Sequence, residues 1–542
     1  MMKLKIRPTT ILLSILGAAV AWKAALLLLD CVPFNADEAV VALMAHHILQ
    51  GERPIFFYGQ AYMGSLDAYL VAGFFGLLGQ QVWVIRLVQT LLYIGTIIST
   101  IGLGKVIYGS LRTGLLAGVL LAVPTVNVTL YTTASLGGYG EALLIGNLIL
   151  LITLRIANRI KGGASYSVNW LLWAGLGFLA GLGLWANGLT LIYSIPAGGM
   201  LLYLLFRYRK SLAWRAIWSG LLVGIVGFGL GSAPWWIYAI THGWQALFLE
   251  LAGNAVAVEQ GTWLVRLGNH LINLVLLGGT VLLGFRPPWE VRWLGLPLLP
   301  FVLIFWILVS FLSIRRLKRE PSLRVGGFLL VGVIGTLAAG FLFSSFGVDP
   351  SGRYFVPLAI PLALAAADAV QQVSPRLRWQ AALLGLVLIF QAWGTLESAV
   401  RTPPGITTQF DVSTQVDQRY QPELIRFLEV QGETRGYSNY WVAYPTTFLS
   451  GESIILVPRL PYHADLRYTP RDDRYPPYDQ AVLDSARVAY ITALNPTLDQ
   501  KLVLGLDRNG IAWQEQQIGD YRVYYHLSKA IHPDELGLGE FD

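Results

Sequence analysis

The chain has 542 residues, of which 55% are hydrophobic and 13% are charged. A soluble protein of this composition could not cover its apolar surface with so few charges. The composition therefore excludes an ordinary cytosolic enzyme, a disordered chain and a nucleic-acid-binding protein that relies on a basic patch. It predicts a protein that crosses the lipid bilayer several times.

The net charge of +7 is unevenly distributed. Residues 1–400 hold 26 basic and 13 acidic residues, whereas residues 401–542 hold 13 and 19. We assign the basic excess to membrane loops, so no nucleic-acid partner is expected. The single cysteine, Cys31, rules out an intramolecular disulfide and any thiolate metal cluster.

Apolar stretches of membrane length begin close to the amino terminus. Residues 10–29 follow three basic residues and end at Asp30, with no small-residue cleavage site, which predicts an uncleaved first span. Ten further spans are predicted, at 82–107, 113–130, 141–157, 169–187, 188–206, 216–240, 294–314, 325–344, 354–371 and 379–396.

Two other apolar stretches, 61–79 and 268–285, are either membrane spans or interfacial helices. The distribution of basic residues decides between these two alternatives. If neither stretch crosses, the inner segments carry 19 basic residues and the outer segments carry 6. If either one crossed alone, the basic cluster at 315–324 would lie outside. Both stretches are therefore predicted to lie in the outer interface, within an outer loop (30–81) and an outer interfacial segment (241–293).

The composition changes after residue 400, where Thr402-Pro403-Pro404-Gly405 marks a boundary. Beyond it, helical patterns alternate with strand patterns, and no nucleotide-binding glycine loop occurs. The helical patterns cover 422–430 and 498–506, and the strand patterns cover 453–457, 486–492 and 521–526. We predict a transmembrane domain at 1–396 and a small extracytoplasmic α/β domain at 397–542.

The first outer loop contains two adjacent acids, Asp37 and Glu38. Asn35 or Asp37 can cap a helix that ends at Gly51, which places both acids at the positive end of the helix dipole. Adjacent residues on a helix point about 100° apart. We therefore expect one acid to face the cavity and the second acid to orient the first. The alternative is that both are ordinary first-turn acids.

Several short motifs follow one another in the order found in a known family. They are the Asp37-Glu38 pair, the Gly51-x-x-Pro54 turn, Arg86 at the start of the second span, Tyr139-Gly140-Glu141, and Arg353-Tyr354-Phe355-Val356-Pro357. In this combination the chain resembles the GT-C glycosyltransferases, especially the protein O-mannosyltransferases and the lipid A aminoarabinose transferase. The resemblance covers most of residues 1–372 in topology.

The resemblance implies an α-helical polytopic membrane protein of GT-C type, with about eleven transmembrane helices, outer interfacial helices and the α/β domain. It implies transfer of a sugar from a polyprenyl-phosphate carrier to an extracytoplasmic acceptor (a cell-envelope glycan, lipid or protein) by inverting displacement. Asp37 would be the base, Glu38 and Glu141 would assist, and Arg353 with Tyr354 would bind the carrier phosphate. The protein would lie in a prokaryotic inner membrane, with its amino terminus inside and residues 397–542 outside.

Other polar residues near the outer face are weaker candidates. Lys23 either contacts the carrier phosphate or only extends its ammonium group toward the membrane interface. The remaining candidates line the sugar or acceptor pocket or serve as interface and turn residues: Tyr58, Arg53, His46 and Asn187. No Asp-x-Asp occurs in the outer loops, so we expect no cofactor and favour a reaction without a divalent metal.

Three other functions are compatible with the composition. A transporter or flippase of lipid-linked saccharides would favour inverted repeats and ionisable residues at the midplane, and no repeat is evident. An O-antigen-type polymerase or ligase would place its critical charges in a large later loop. An inactive scaffold with a glycan-binding tail is the third alternative.

Overall fold

A computed structural model describes residues 7–162, 168–245, 247, 261–401 and 404–538. Part of the predicted interfacial segment 241–293 lies outside these residues, as do Thr402 and Pro403 of the predicted boundary. The helices before residue 400 are α1 Pro8–Leu28, α2 Ala36–Gln50, α3 Leu66–Leu78, α4 Val82–Tyr108, α5 Leu111–Ala122, α6 Val126–Tyr131, α7 Tyr139–Lys161, α8 Trp170–Ala186, α9 Leu191–Arg207, α10 Trp214–Gly231, α11 Ala233–His242, α12 Trp263–Leu282, α13 Leu299–Arg319, α14 Arg324–Phe343, α15 Ala359–Val373 and α16 Leu377–Ala399.

Ten helices in the described part of the chain are long and apolar enough to cross a membrane. This supports a multi-pass membrane protein, but the set differs from the eleven predicted spans. Residues 263–282 form a helix of spanning length, where an interfacial helix was predicted. The predicted span 113–130 is instead interrupted at Pro124, which cannot donate a helical hydrogen bond, and divides into α5 and α6.

Glycines bring α8 and α10 into close backbone contact. A Cβ on Gly177 would lie 1.9 Å from the carbonyl oxygen of Gly224, and one on Gly181 would lie 2.2 Å from that of Phe228. Small residues allow such close approach between membrane helices, where dispersion between backbones replaces the hydrophobic effect. The contact depends on residues without side chains at these positions.

The carboxy-terminal residues form a five-stranded sheet with flanking helices. The strands are ordered β4-β3-β5-β7-β6, with β3 parallel to β4 and β5, and β7 antiparallel to β5 and β6. The bounds are β3 Arg435–Tyr437, β4 Ile455–Val457, β5 Ala489–Ala493, β6 Gln514–Ile518, β7 Tyr521–Tyr525, α17 Gln421–Gln431, α18 Tyr440–Leu449, α19 Pro476–Leu483 and α20 Pro496–Arg508. Two short strands, β1 Phe56–Phe57 and β2 Gln60–Gly64, precede α3. The predicted α/β character is confirmed.

The chain divides into two compact units. The first comprises Met1–Leu29, Ala61–Asp67 and Arg86–Ser398, and the second comprises Asp30–Gln60, Ala68–Ile85 and Ala399–Asp542. Within the second unit α2 packs against α18, and the ring of Phe448 lies 5.6 Å from that of Phe34. The segment that carries Asp37 is therefore grouped with the carboxy-terminal residues, although the prediction assigned it to the transmembrane domain.

Candidate functional site

The acidic pair lies in the first turn of α2, as the sequence indicates. The side chain of Asn35 accepts a hydrogen bond from the backbone N–H of Glu38 at 3.0 Å and caps the helix. Gly51 ends the helix with φ of +115°, a conformation that glycine adopts without strain. Asp37 is partly exposed, whereas Glu38 is fully buried, so Asp37 is the acid that solvent can reach.

The carboxylate of Asp37 has a partner that lies far away in the sequence. The hydroxyl of Tyr440 donates a hydrogen bond of 2.6 Å to Asp37 Oδ1. Burial, and next the negative charge of Asp37, raise the pKa of Tyr440 well above its ordinary value, so the phenol stays protonated and donates. Because 403 positions separate the two residues, no local pattern could have revealed this contact.

Two charged residues complete what we call the Asp37 cluster, defined as Asp37, Tyr440, Asp472 and Arg474. The Arg474 guanidinium lies 5.4 Å from the centre of the Tyr440 ring, within cation–π range. Burial raises the pKa of Asp472 to about 7; the charge of Arg474 opposes this rise and that of Asp37 adds to it. The cluster thus combines a solvent-accessible acid with a buried acid that titrates near neutral pH.

A second network, the histidine network, lies near the end of α2. His46 Nε2 and His47 Nε2 lie 2.8 and 3.0 Å from the carboxylate oxygens of Glu452. Burial alone would raise the pKa of Glu452, but hydrogen bonds from His47 and Tyr478 and the nearby histidine charges lower it to about 2. His46, a predicted pocket residue, is thus engaged with a carboxylate of the same unit.

Tyr58 and Arg53, also predicted to line the pocket, have partners near the same network. The Tyr58 hydroxyl donates a 2.6 Å hydrogen bond to Glu52 Oε2, and its ring stacks on that of Tyr475 at 4.7 Å. The exposed Arg53 donates to the carbonyl oxygens of Glu52 and Ile48 at 2.7 and 3.2 Å. Arg53 therefore binds carbonyl groups at the carboxy-terminal end of α2.

In the first unit, Lys23 is buried and its ammonium group is occupied by neighbouring oxygens. It donates to the hydroxyls of Thr132 and Thr133 at 2.9 and 3.0 Å, and to the backbone carbonyl of Thr132. It also lies 4.6 Å from the centre of the Tyr93 ring. The three donors of the ammonium group match these three acceptors, so the structure gives Lys23 a stabilising role in the protein interior.

Glu141 lies in the first turn of α7, which begins at Tyr139, and it interacts electrostatically with a second buried acid, Asp67. Each of two neighbouring buried acids disfavours a charge on the other. Gln89 donates to Asp67 Oδ1 at 2.9 Å and the Ser135 hydroxyl donates to Oδ2. Glu141 is 2% exposed, so any influence it has on a substrate passes through its neighbours.

Asn187 ends α8 and fixes a turn of the first unit. Its side-chain amide donates to the carbonyl of Gly137 at 3.0 Å, and its Oδ1 accepts from the N–H of Leu189 at 2.9 Å. Gly137 itself has φ of +90°, which favours glycine. Both polar atoms of the Asn187 side chain are therefore used to hold the chain.

Arg353 follows Gly352 and begins a 3-10 turn, Arg353–Leu358, at the start of the helix region that includes α15. Its guanidinium forms an ion pair of 2.6 Å with Asp349 Oδ2 and lies 5.0 Å from the centre of the Tyr354 ring. The side chain is 35% exposed. An anion that approaches the exposed part of this guanidinium would compete with Asp349 for its charge.

No group of three or more histidine, cysteine or acidic side chains in the described residues is arranged to hold a metal ion. The buried carboxylate of Asp67 accepts the hydrogen bonds from Gln89 and Ser135 described above. The sequence-based preference for a reaction without metal remains a prediction.

The fold is similar to solved structures of membrane transferases. ArnT from Cupriavidus metallidurans matches with TM-scores of 0.58 bound to undecaprenyl phosphate and 0.59 in the apo state, at 12% identity. Both matches cover 94% of this chain, and they cover 98% and 97% of ArnT. The archaeal oligosaccharyltransferase AglB from Archaeoglobus fulgidus, in complex with an inhibitory peptide and a dolichol-phosphate, matches with a TM-score of 0.50 at 12% identity, over 88% of this chain and 69% of AglB.

The sequence matches no family model and no curated protein. The similarity therefore lies in the fold, which includes both the helices before residue 400 and the carboxy-terminal sheet. The chain is a polytopic membrane protein with the GT-C fold, as the order of its motifs predicts.

Proposed function

We propose that the protein is a membrane glycosyltransferase that moves a sugar from a polyprenyl-phosphate carrier to an extracytoplasmic acceptor. The observation that carries the proposal is Asp37: a solvent-accessible carboxylate at the positive end of a capped helix, hydrogen-bonded by a buried tyrosine. The shared fold supports the choice of carrier, since ArnT was solved with undecaprenyl phosphate bound.

In the proposed reaction, Asp37 takes the proton from an acceptor hydroxyl. The acceptor oxygen forms a bond to the anomeric carbon as the bond from that carbon to the carrier phosphate oxygen breaks. The polyprenyl phosphate leaves with the electron pair, and the configuration at the anomeric carbon is inverted. General-base assistance of this kind contributes about 10²–10⁴-fold to the rate.

We assign binding of the carrier phosphate to Arg353 and Tyr354. A guanidinium forms charge-assisted, two-pronged hydrogen bonds to phosphate, and the adjacent ring limits its movement. The leaving phosphate gains negative charge as the bond breaks, so this contact is strongest in the transition state. Asp349 holds the guanidinium in place before the carrier arrives.

The remaining predicted residues receive supporting roles. Glu38 and Glu141 are buried and assist only through neighbouring groups, while Lys23 and Asn187 stabilise the first unit. Tyr58, Arg53 and His46 stabilise the end of α2 and its partners in the second unit. We further propose that no divalent metal takes part, so that EDTA leaves the transfer rate unchanged.

The experiment is a transfer assay with the full chain in proteoliposomes. A panel of undecaprenyl-phosphate-linked tritiated hexoses and pentoses is supplied as donor, and cell-envelope extract is supplied as acceptor. We expect Asp37→Asn to lower transfer by about 10²–10⁴-fold and the exposed control Asp484→Asn to retain the wild-type rate. A wild-type rate in folded Asp37→Asn protein would rule out this base, and movement of intact donor across the bilayer without transfer would favour a flippase.

We also propose that the amino terminus faces the cytoplasm and that the second unit lies outside the inner membrane. In a Cys31→Ser background, single cysteines at the exposed positions Lys161 and Lys318 are expected to react with a membrane-impermeant maleimide only after permeabilisation. A cysteine at the exposed Glu423 of α17 is expected to react in intact cells. The reverse pattern would refute the orientation without affecting the assignment of Asp37.

A further inference from the structure

We propose that Tyr440 is a positioning residue for Asp37, through which the carboxy-terminal part of the second unit holds the catalytic base in place. This inference rests on the proposed function, because it concerns the carboxylate that accepts the proton. It also gives the carboxy-terminal residues a role in the proposed reaction.

The geometry of the contact is that of a directed hydrogen bond. The Tyr440 hydroxyl lies 2.6 Å from Asp37 Oδ1, which is short for an O–H···O bond and typical of a carboxylate acceptor. Oδ1 is thereby engaged, and Oδ2 is the oxygen that can accept a proton from a substrate. A carboxylate held by one oxygen loses the rotation that would otherwise exchange its two oxygens.

The tyrosine itself is held from several sides. The side chain of Asn439 caps α18 by accepting from the N–H groups of Trp441 and Val442 at 2.9 and 3.1 Å. The Tyr440 ring packs edge-on against the rings of Trp441 and Tyr444, at 5.2 and 5.4 Å between centres. With 3% of its surface exposed, Tyr440 has no space to swing away from Asp37.

Two charged groups of the Asp37 cluster surround this contact. The charge of Asp37 adds to the rise in the pKa of the buried Asp472, so a charged Asp472 would repel the Asp37 carboxylate. The Arg474 guanidinium, which lies over the Tyr440 ring, opposes that rise. The hydrogen bond from the Tyr440 hydroxyl holds the Asp37 carboxylate at a fixed position beside these charges.

The test compares Tyr440→Phe with the matched control Tyr490→Phe in the full chain, assayed with the donor panel above. Tyr490 is also buried in the second unit, and its hydroxyl donates to the carbonyl of Ile531 at 2.7 Å. Loss of a hydrogen bond to a charged group is expected to lower kcat about 10- to 100-fold in Tyr440→Phe. We expect the donor KM to be unchanged, and Tyr490→Phe to retain the wild-type kcat.

A double-mutant cycle separates positioning from folding. If Tyr440 acts through Asp37, then Tyr440→Phe costs little further rate in an Asp37→Glu background, where the carboxylate is already misplaced. A purely structural role would give additive losses, which would overturn the proposal. Rates are expressed per folded molecule recovered by size-exclusion chromatography, so a partly unfolded variant still gives a kcat.

The outcomes distinguish this proposal from the one on which it rests. A wild-type kcat in folded Tyr440→Phe, together with an inactive Asp37→Asn, overturns the positioning role and leaves the base assignment intact. A wild-type rate in Asp37→Asn, or no transfer from any donor by the wild-type chain, overturns both.

Discussion

His47 Nε2 lies 3.0 Å from Glu452 Oε1, although 405 positions separate the two residues in the chain. The contact joins the end of α2 to the residue that follows α18 by a short turn. Tyr475 stacks on the His47 ring at 4.5 Å, and Tyr478 donates to the same Glu452 oxygen at 2.6 Å. The histidine network therefore stabilises the same pair of helices that brings Asp37 and Tyr440 together.

The stability of the second unit should depend on pH through Glu452. Its pKa is lowered from 4.5 to about 2 in the folded protein, so its contribution is present above pH 4.5 and is lost as the pH falls toward 2. Glu452→Gln should lower the unfolding free energy by about 1–3 kcal/mol at neutral pH, and the difference from wild type should shrink on acidification. Thermal unfolding in detergent at several pH values measures this, with Glu423→Gln as an exposed control; a difference independent of pH would contradict it.

The neighbouring buried acids Asp67 and Glu141 predict different outcomes for two substitutions at Glu141. Glu141→Gln keeps the shape of the side chain and removes a charge that Asp67 disfavours, so this variant should fold normally. Glu141→Ala leaves a cavity at a residue that is 2% exposed and should cost about 1–3 kcal/mol of stability. Unfolding temperatures of the purified variants are the measurement, and equal losses in both variants would contradict this prediction.

The close contact of α8 with α10 predicts strong sensitivity at Gly177. A Cβ there would meet the backbone carbonyl of Gly224 at 1.9 Å, so Gly177→Ala must separate the helices and should cost about 1–3 kcal/mol. Gly229, on α10, has nothing within 4 Å of its would-be Cβ. Gly229→Ala is therefore the matched control and should not destabilise the protein; equal unfolding temperatures for the two variants would contradict the packing argument.

The proposed phosphate contact of Arg353 predicts weaker carrier binding when the guanidinium is removed. Arg353→Ala should reduce affinity for undecaprenyl phosphate by about 10- to 100-fold, the loss expected for a charge-assisted hydrogen bond. The affinity of Arg353→Lys should lie between those of the wild type and Arg353→Ala, because lysine keeps the charge but not the two-pronged geometry. Native mass spectrometry of the detergent-solubilised protein measures binding, and Arg266→Ala removes an equal charge as control. Unchanged affinity in Arg353→Ala would reject the assignment.

Local signals in the sequence predicted those features that depend on neighbouring residues. The cap at Asn35, the helix end at Gly51 and the alternation of helices and strands after residue 400 follow from short patterns, and the structure contains them. The order of weak motifs also predicted the GT-C fold. These features depend on composition and spacing, which a single sequence displays directly.

The sequence did not predict features that arise from distant contacts. Tyr440 is one of 25 tyrosines, and nothing near it in the chain indicates a partnership with Asp37. Asp67 and Glu141 belong to different helices, so no local pattern in the sequence indicates that these two buried acids interact. The distribution of basic residues placed 268–285 at the interface, whereas residues 263–282 form one helix of spanning length.

The long separation between Asp37 and Tyr440 also has a temporal consequence. The ribosome synthesises Asp37 403 residues before it synthesises Tyr440, whose hydroxyl holds the Asp37 carboxylate in place. A growing chain that has not yet reached Tyr440 therefore carries an acid that is not held in place. In this protein, competence for the proposed chemistry would arrive only after Tyr440 has been synthesised and α18 has folded.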